Sequence, residues 1–294
     1  MMELAKKFSE NRNEVLSAYE LTEEDVNRCI SDLRIWLEGQ KHLQTHLLGD
    51  DLLERFLLKN KFSIEKTKIK MENYCTLRKK YRKFYENYEE IVPSKESSFI
   101  IPMFKLNDDL NRIIICRIFD EKKFDFLRSA RGIMLMLEME SRMDYSCGDE
   151  FIVDLAGTGA LFLTKINFLL LKDALTLAIK AYSARVRAVH IVNAPRIINV
   201  LMTLLKTIVP TKIFNRIRVH RSLDTVYEYF PKRLLPLEYG GELGSLNTIL
   251  ADYDLIFKEC QDTFSTALQI ATDETKKTTK RTPDDESFRK LQID

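Results

Sequence analysis

The sequence predicts an α/β protein in which an all-helical N-terminal region precedes a mixed, largely parallel sheet. Residues 1–90 are polar with helical periodicity, and no glycine or proline interrupts residues 50–92. Three short β-branched runs then alternate with helical stretches, a pattern typical of βαβ units. They are residues 113–119, 151–157 and 185–195. With 294 residues and 45% hydrophobic side chains, the chain can bury a substantial core.

The N-terminal region is predicted to contain three helices followed by a linker. Thr22 is a good N-cap for a first helix, and Gly39 suits its end. A second helix covers residues 50–58, and a third begins after Ser63. The polar segment 93–98, with one proline and three serines, predicts a linker. The expected organisation is an N-terminal helical domain at 1–92, a sheet-containing domain at 93–246, and a C-terminal helix with a partly disordered tail at 247–294.

Beyond the linker, periodicity and proline positions predict the remaining elements. Pro195 opens a helix over residues 196–209, which Pro210 closes. The other predictions are helices at 126–143, near 164–182 and at 246–270, a short strand at 216–220, a turn at 236–241 and an unstructured stretch at 276–287.

Composition argues against several classes of protein. Five scattered cysteines without a C-x-x-C pair disfavour a disulfide framework or a cysteine-based zinc site and favour a reduced compartment. His42 and His46 have a chelating spacing but no third ligand, so we expect no metal site. The N-terminus lacks the apolar core of a signal peptide, and no window approaches the ~18 apolar residues of a membrane span. We therefore expect a soluble, cytoplasmic protein.

Positive charge is concentrated in one region of the chain. Residues 180–233 contain eleven Lys or Arg and two acidic residues, although the formal net charge of the whole chain is only +2. Such a local excess indicates either a solvated face or a polyanionic partner. The cations are interleaved with Ile, Val and Leu rather than with stacking aromatics, which disfavours a nucleic-acid partner.

The helix predicted at 196–209 is apolar around most of its circumference. Such a helix must be buried, face a membrane, or cover an apolar cavity. A central core helix is one interpretation. The neighbouring cations favour another, because apolar surface bordered by Lys and Arg allows reversible docking on an anionic bilayer.

Catalytic motifs are weak. Gly157-Thr158-Gly159 follows a strand, but Phe162 stands where a dinucleotide-binding fingerprint needs its third glycine, so a plain strand-to-helix turn is expected. Asp154 has no partner carboxylate, His190 is expected to be a core histidine, and His220 a surface group. An enzyme using Asp154 and this turn is the weaker alternative, and no cofactor is expected.

Three segments resemble the lipid-binding domain of the CRAL-TRIO family. They are YSARVRAVHIVNAP at 182–195, PTKIFNRIRVH at 210–220 and YFPKRLLPLEYGGELGS at 229–245. FIVDLAG at 151–157 is similar to the family's middle strand, and residues 50–81 resemble its N-terminal helices. The whole resemblance extends over roughly residues 20–294. It implies a non-catalytic carrier that holds one hydrophobic molecule, such as a retinoid or tocopherol, between a sheet floor and a mobile gate helix at about 193–216.

The resemblance also implies two groups of site residues. The pocket would be lined by Val153, Thr158, Ala174, Leu177, Tyr182, Ala184, Val186 and Val189, and on the gate by Ile198, Leu201, Met202 and Leu205. In the tocopherol-carrying branch a basic cleft binds phosphoinositide headgroups on membranes, and its residues correspond to Arg185, Arg187, Lys212 and Arg216.

Three positions depart from the family pattern. Asn60 replaces a cleft arginine, although Lys59 and Lys61 flank it and could substitute. Ala184 replaces the glutamate that pairs with a lysine in phosphatidylinositol-transfer members, so an apolar ligand inside and a phosphoinositide outside are expected. Ser183 replaces a proline. A phosphoinositide sensor that moves no cargo is the alternative function.

Overall fold

A computed structural model describes residues 6–86, 97–270 and 272–276. Most of the predicted linker at 93–98, and nearly all of the stretch at 276–287, lie outside these residues. The helices are α1 (Arg12–Ser17), α2 (Glu23–Glu38), α3 (Asp50–Lys59), α4 (Ile64–Lys80), α5 (Phe126–Met143), α6 (Ala160–Lys165), α7 (Phe168–Lys180), α8 (Ile198–Ile208), α9 (Thr211–Phe214), α10 (Leu246–Glu259) and α11 (Gln261–Gln269). The strands are β1 (Ser98–Leu106), β2 (Asn111–Ile118), β3 (Gly148–Asp154), β4 (Val186–Val192) and β5 (Ile217–Val219).

The predicted α/β fold is confirmed. Helix α2 begins with a capping box, in which the Thr22 hydroxyl accepts from the Asp25 amide at 3.2 Å and the Asp25 carboxylate accepts from the Thr22 amide at 3.1 Å. The stretch predicted as one helix near 164–182 is instead two helices, because the Asn167 side chain caps α7 by accepting from the Leu170 amide at 3.0 Å. The helix predicted at 246–270 likewise breaks at Cys260.

The sheet has five strands in the order β1-β2-β3-β4-β5. Strand β1 runs antiparallel to β2, and the other neighbours are parallel. The sequence did not predict β1, because Pro102 in its middle argues against a strand. As the edge strand, β1 pairs only with β2, so the missing amide of Pro102 can be tolerated on the outer side.

The N-terminal helices pack on α5 and α7 through an apolar core that encloses a charged network. The Glu138 carboxylate accepts from Tyr74 at 2.6 Å, Arg142 at 2.7 Å, Arg78 at 2.8 Å and Tyr182 at 3.0 Å. Burial opposes ionisation, but the charges of Arg78 and Arg142 outweigh it and lower the pKa of Glu138 to about 2. Both carboxylate oxygens of Glu138 thus have hydrogen-bond partners. Because some of these partners lie on the N-terminal helices, the bonds anchor those helices to the sheet-containing domain.

Candidate functional site

The two faces of the central strands differ in their access to water. On one face, Ile152 and Val192 are each 1% exposed, because the C-terminal helices α10 and α11 pack over them. We call this the sealed face. On the opposite face, which we call the floor, Ile191 of β4 is 4% exposed, but Phe151 and Val153 of β3 and Val189 of β4 are only half-buried. The apolar side chains of this face are therefore covered less completely than those of the sealed face.

Helix α8 lies over this floor without closing it. Of its residues, only Leu201 is buried. Ile198, Met202 and Leu205 are half-buried and belong to the same apolar cluster as Val153 and Val189. The other side of the helix faces solvent, with Val200 and Leu204 exposed by 50% and 36%. Helix α8 therefore presents apolar side chains both to the floor and to water.

The residues proposed for the pocket fall into separate groups. Six lie together in the cluster between the floor and α8: Val153, Val189, Ile198, Leu201, Met202 and Leu205. Ala174, Leu177, Tyr182 and Ala184 instead pack in the helical core beside α7. Tyr182 is fully buried and donates to Glu138, so its hydroxyl faces the charged network. Val186 packs against a separate cluster of Ile179, Val209 and Ile213, and the Thr158 hydroxyl donates to the Leu155 carbonyl within a turn at 2.8 Å.

Two arginines of the predicted basic cleft lie close together. Arg216 donates to the Val186 carbonyl, and Arg187 donates to the Cys147 carbonyl at 3.0 Å. Burial, and then the positive charge of Arg187, lower the pKa of Arg216. Within the described part of the chain, neither guanidinium forms an ion pair with a carboxylate. Arg185 donates to the Tyr19 hydroxyl, and Lys212 is exposed on α9. Uncompensated guanidiniums of this kind suit phosphate groups.

The side chain of Asn60 makes no contribution to this cleft. It is buried and donates to the Phe56 carbonyl at 2.8 Å and to the Ser183 hydroxyl at 3.0 Å. Two departures from the family pattern, Asn60 and Ser183, therefore pair with each other. Lys59 cannot substitute for an arginine here, because it is buried and its ammonium lies 3.3 Å from Glu140.

The amides of the strand-to-helix turn at 157–159 are already bonded to a carboxylate of the same chain, that of Glu121. The Glu121 carboxylate accepts from the Gly159 amide at 2.7 Å and the Phe162 amide at 3.0 Å, which are the donors that a bound phosphate would need. Sequence reasoning missed Glu121 because it lies about 40 residues earlier in the chain. This occupation counts against the nucleotide-dependent alternative.

The expectation that His220 is a surface group was wrong. His220 is 8% exposed and stacks on His190 at 5.0 Å between ring centroids, because residues 225–230 fold over the end of β5. The Thr225 hydroxyl donates to the Ser222 carbonyl, so it accepts from His220 Nδ1 at 2.8 Å. His220 Nε2 must then accept from His190 Nδ1, also at 2.8 Å. Both rings are neutral in this arrangement.

We expect this histidine pair to make stability depend on pH. Burial, and then the charges of His220 and Arg218, lower the pKa of His190 to about 4. Neutral His190 therefore contributes its full stabilisation to the fold above the unfolded-state pKa of about 6.5. This contribution disappears as the pH falls toward 4. Between pH 7 and pH 5 the free energy of unfolding should fall by about 2 kcal/mol more in the natural protein than in His190→Phe, as measured by urea denaturation. Equal pH dependences in the two proteins would contradict this assignment.

The comparisons with known proteins agree with this architecture. The family model described as CRAL/TRIO domain matches residues 96–241, and the model described as Pinta-like, UBA domain matches residues 22–90. The human alpha-tocopherol transfer protein-like sequence is 26% identical over 228 residues, which cover 73% of this chain and 67% of that protein. Rat clavesin-1 is 26% identical over 203 residues, covering 66% and 57% of the two chains.

A solved structure, titled Crystal structure of Sfh5, has a TM-score of 0.47 and 13% identity, and covers 83% of this chain and 99% of that one.

Two further features bear on the site. Among the residues that the structure describes, no helix is long and apolar enough to cross a membrane. No group of three or more His, Cys, Asp or Glu in the same residues could hold a metal ion.

Proposed function

The chain belongs to the CRAL/TRIO domain family, and we propose that it is a non-catalytic carrier for one small hydrophobic lipid, which it exchanges at phosphoinositide-containing membranes. The cargo, a retinoid, a tocopherol or a similar molecule, lies between the floor and residues 193–216, which we call the gate segment. One observation carries this proposal: Val153 and Val189 of the floor are only half-buried beneath an apolar helix, whereas the opposite face of the same strands is sealed. Apolar surface in such a cleft is suited to an apolar occupant.

The energetics of cargo release require the protein to visit a membrane. A lipid of this size hides about 400 Å² of apolar surface, worth roughly 10 kcal/mol at ~25 cal/mol per Å². Escape into water is therefore very slow, whereas transfer into a bilayer loses little of that energy. The carrier must bring its opening into contact with lipid, so the docking surface and the gate segment should adjoin.

Exposed apolar side chains on the gate segment and beside it provide that docking surface. Val200 and Leu204 on α8 face water, and so do Leu161 on α6 and Leu169 on α7, with exposures of 41% and 68%. Exposed cations of the same helices and their flanks, such as Arg196 and Lys206, add attraction to an anionic surface, each worth about 1 kcal/mol. We assign these groups to transient membrane contact.

The basic cleft of Arg185, Arg187, Lys212 and Arg216 supplies phosphoinositide selectivity. Arg187 and Arg216 have no acidic partner among the described residues, and their planar donors match phosphate oxygens in pairs. Ala184 offers no acceptor for an inositol headgroup inside the protein. The cargo site therefore takes an apolar molecule, while the phosphoinositide binds outside.

Equilibrium uptake of fluorescent lipids tests this function. We expect the purified chain to bind a nitrobenzoxadiazole-labelled tocopherol or a retinoid at one molecule per chain, and to release it faster to vesicles that contain phosphatidylinositol bisphosphate than to neutral vesicles. Binding to those vesicles without uptake of any lipid in the panel would overturn the carrier assignment and favour a phosphoinositide sensor instead.

A further inference from the structure

A single buried carboxylate joins the start of the gate segment to a distant turn. Asp154, at the end of β3, is 1% exposed. Its Oδ1 atom accepts from the Ala156 amide and from the Asn193 side-chain amide, both at 2.9 Å. Its Oδ2 atom accepts from the Tyr239 hydroxyl at 3.0 Å and lies 3.3 Å from the Arg117 guanidinium. The charge of Asp154 is thus compensated and its oxygens are all engaged.

Asn193 is the point at which the gate segment leaves the sheet. Strand β4 ends at Val192 and α8 begins at Ile198, so residues 193–197 must absorb any swing of the helix. Asn193 has a φ of 51°, in the left-handed region that asparagine tolerates better than most residues. Its side-chain bond to Asp154 holds this conformation. An opening motion that rotates the backbone at Asn193 must strain or break that bond.

Tyr239 is held equally firmly on the other side of the carboxylate. Its backbone carbonyl accepts from the Tyr227 hydroxyl at 3.0 Å. A Cβ atom on Gly241 would lie 1.9 Å from the Leu235 carbonyl oxygen, so only glycine allows the chain to fold this tightly. Burial, and then the charge of Asp154, raise the pKa of Tyr239, which keeps the hydroxyl protonated as a donor. The turn at 236–241 is therefore a rigid support.

We propose that Asp154 is a positioning residue that latches the hinge of the gate segment, through Asn193, to the rigid turn that carries Tyr239. The latch consists of Asp154, Asn193 and Tyr239. This inference rests on the proposed role of residues 193–216 as a gate. It gives a physical role to two of the segments that resemble the family, 182–195 and 229–245, because the structure brings Asn193 and Tyr239 onto one carboxylate. Weakening the latch from either side should therefore make the gate open more often.

Hydrogen–deuterium exchange of the full chain tests the latch without any cargo. Tyr239→Phe removes one bond to Asp154, and Asn193→Gly removes the other while keeping a residue that accepts positive φ. We expect each variant to speed amide exchange in α8 roughly fivefold, the effect of losing one side-chain hydrogen bond that holds the gate closed. Tyr253→Phe is the matched control, because its fully buried hydroxyl donates to the Pro102 carbonyl beneath the sealed face.

The control should lower the melting temperature about as much as Tyr239→Phe and leave exchange in α8 unchanged. Wild-type exchange rates in α8 for both latch variants would overturn the latch, and so would equal acceleration in Tyr253→Phe. Failure of the carrier assignment would give a different result, namely a wild-type chain that takes up no lipid. A chain that carries lipid but shows no change in exchange would overturn the latch alone.

Discussion

Replacing Val153 by tryptophan should abolish lipid uptake while leaving the protein folded. Val153 of the floor belongs to the same apolar cluster as Leu201 and Met202 of α8, and is only half-buried. An indole ring at this position would fill the space assigned to the cargo. We expect the affinity for a fluorescent tocopherol or retinoid to fall by at least about tenfold. Val153→Ala, which enlarges the same space, should keep stoichiometric uptake.

The stability of the same variant tests how tightly the floor is packed, independently of any ligand. Ile152 is the neighbouring residue on β3, but it faces the sealed side and is 1% exposed. Ile152→Trp should overpack that core and cost about 1–3 kcal/mol or more. Val153→Trp should cost less, because Val153 is half-buried and its ring can extend toward the side that water reaches. Equal losses of melting temperature in the two variants would show that the floor is as tightly packed as the sealed face.

Removing Arg187 and Arg216 together should weaken binding to phosphoinositide vesicles by about 30-fold to 100-fold. Each guanidinium at a membrane surface contributes about 1 kcal/mol, and a charge-assisted bond to phosphate contributes more. Because the pair has no carboxylate partner among the described residues, its loss should leave no acidic group unpaired in the fold. Vesicle sedimentation of Arg187→Ala/Arg216→Ala measures the effect, and lipid uptake should persist.

Arg28→Ala/Arg34→Ala provides a control of equal charge change. Both arginines lie on α2 in the N-terminal domain, and each pairs with an aspartate. This control should retain nearly all of the vesicle binding, with a small loss that high salt removes. Equal losses in the two double variants would mean that net charge alone drives binding and would reject the basic cleft.

The sequence allowed the fold to be predicted where structure is local. Periodicity located α5 at its observed bounds, and the capping signal of Thr22 located the start of α2. Strand β1 was missed because a proline in a short apolar run argues against a strand, and only its position at the edge of the sheet explains why it is tolerated. Edge and central positions depend on tertiary arrangement, which local patterns do not encode.

The site was less predictable because its decisive contacts join distant parts of the chain. Asp154 was considered only as a weak catalytic candidate, because its hydrogen-bond donors Asn193 and Tyr239 lie 39 and 85 residues away. Asn60 bonds to Ser183 across 123 residues, a contact that no local sequence pattern predicts. His220 was misjudged because the segment that buries it follows it in sequence. A composition-based interpretation could identify the charged region and the apolar helix, but not which arginines lack partners.

Native mass spectrometry of the chain purified from eukaryotic cells tests the central claim most directly, namely that an apolar molecule occupies the space between the floor and α8. The natural protein should carry a mass increment of one lipid per chain, removable by organic extraction and restored by incubation with lipid. Val153→Trp, prepared in the same way, should show its bare mass. A bare natural protein that gains no lipid, or an identical increment in Val153→Trp, would contradict the assignment of this space to cargo.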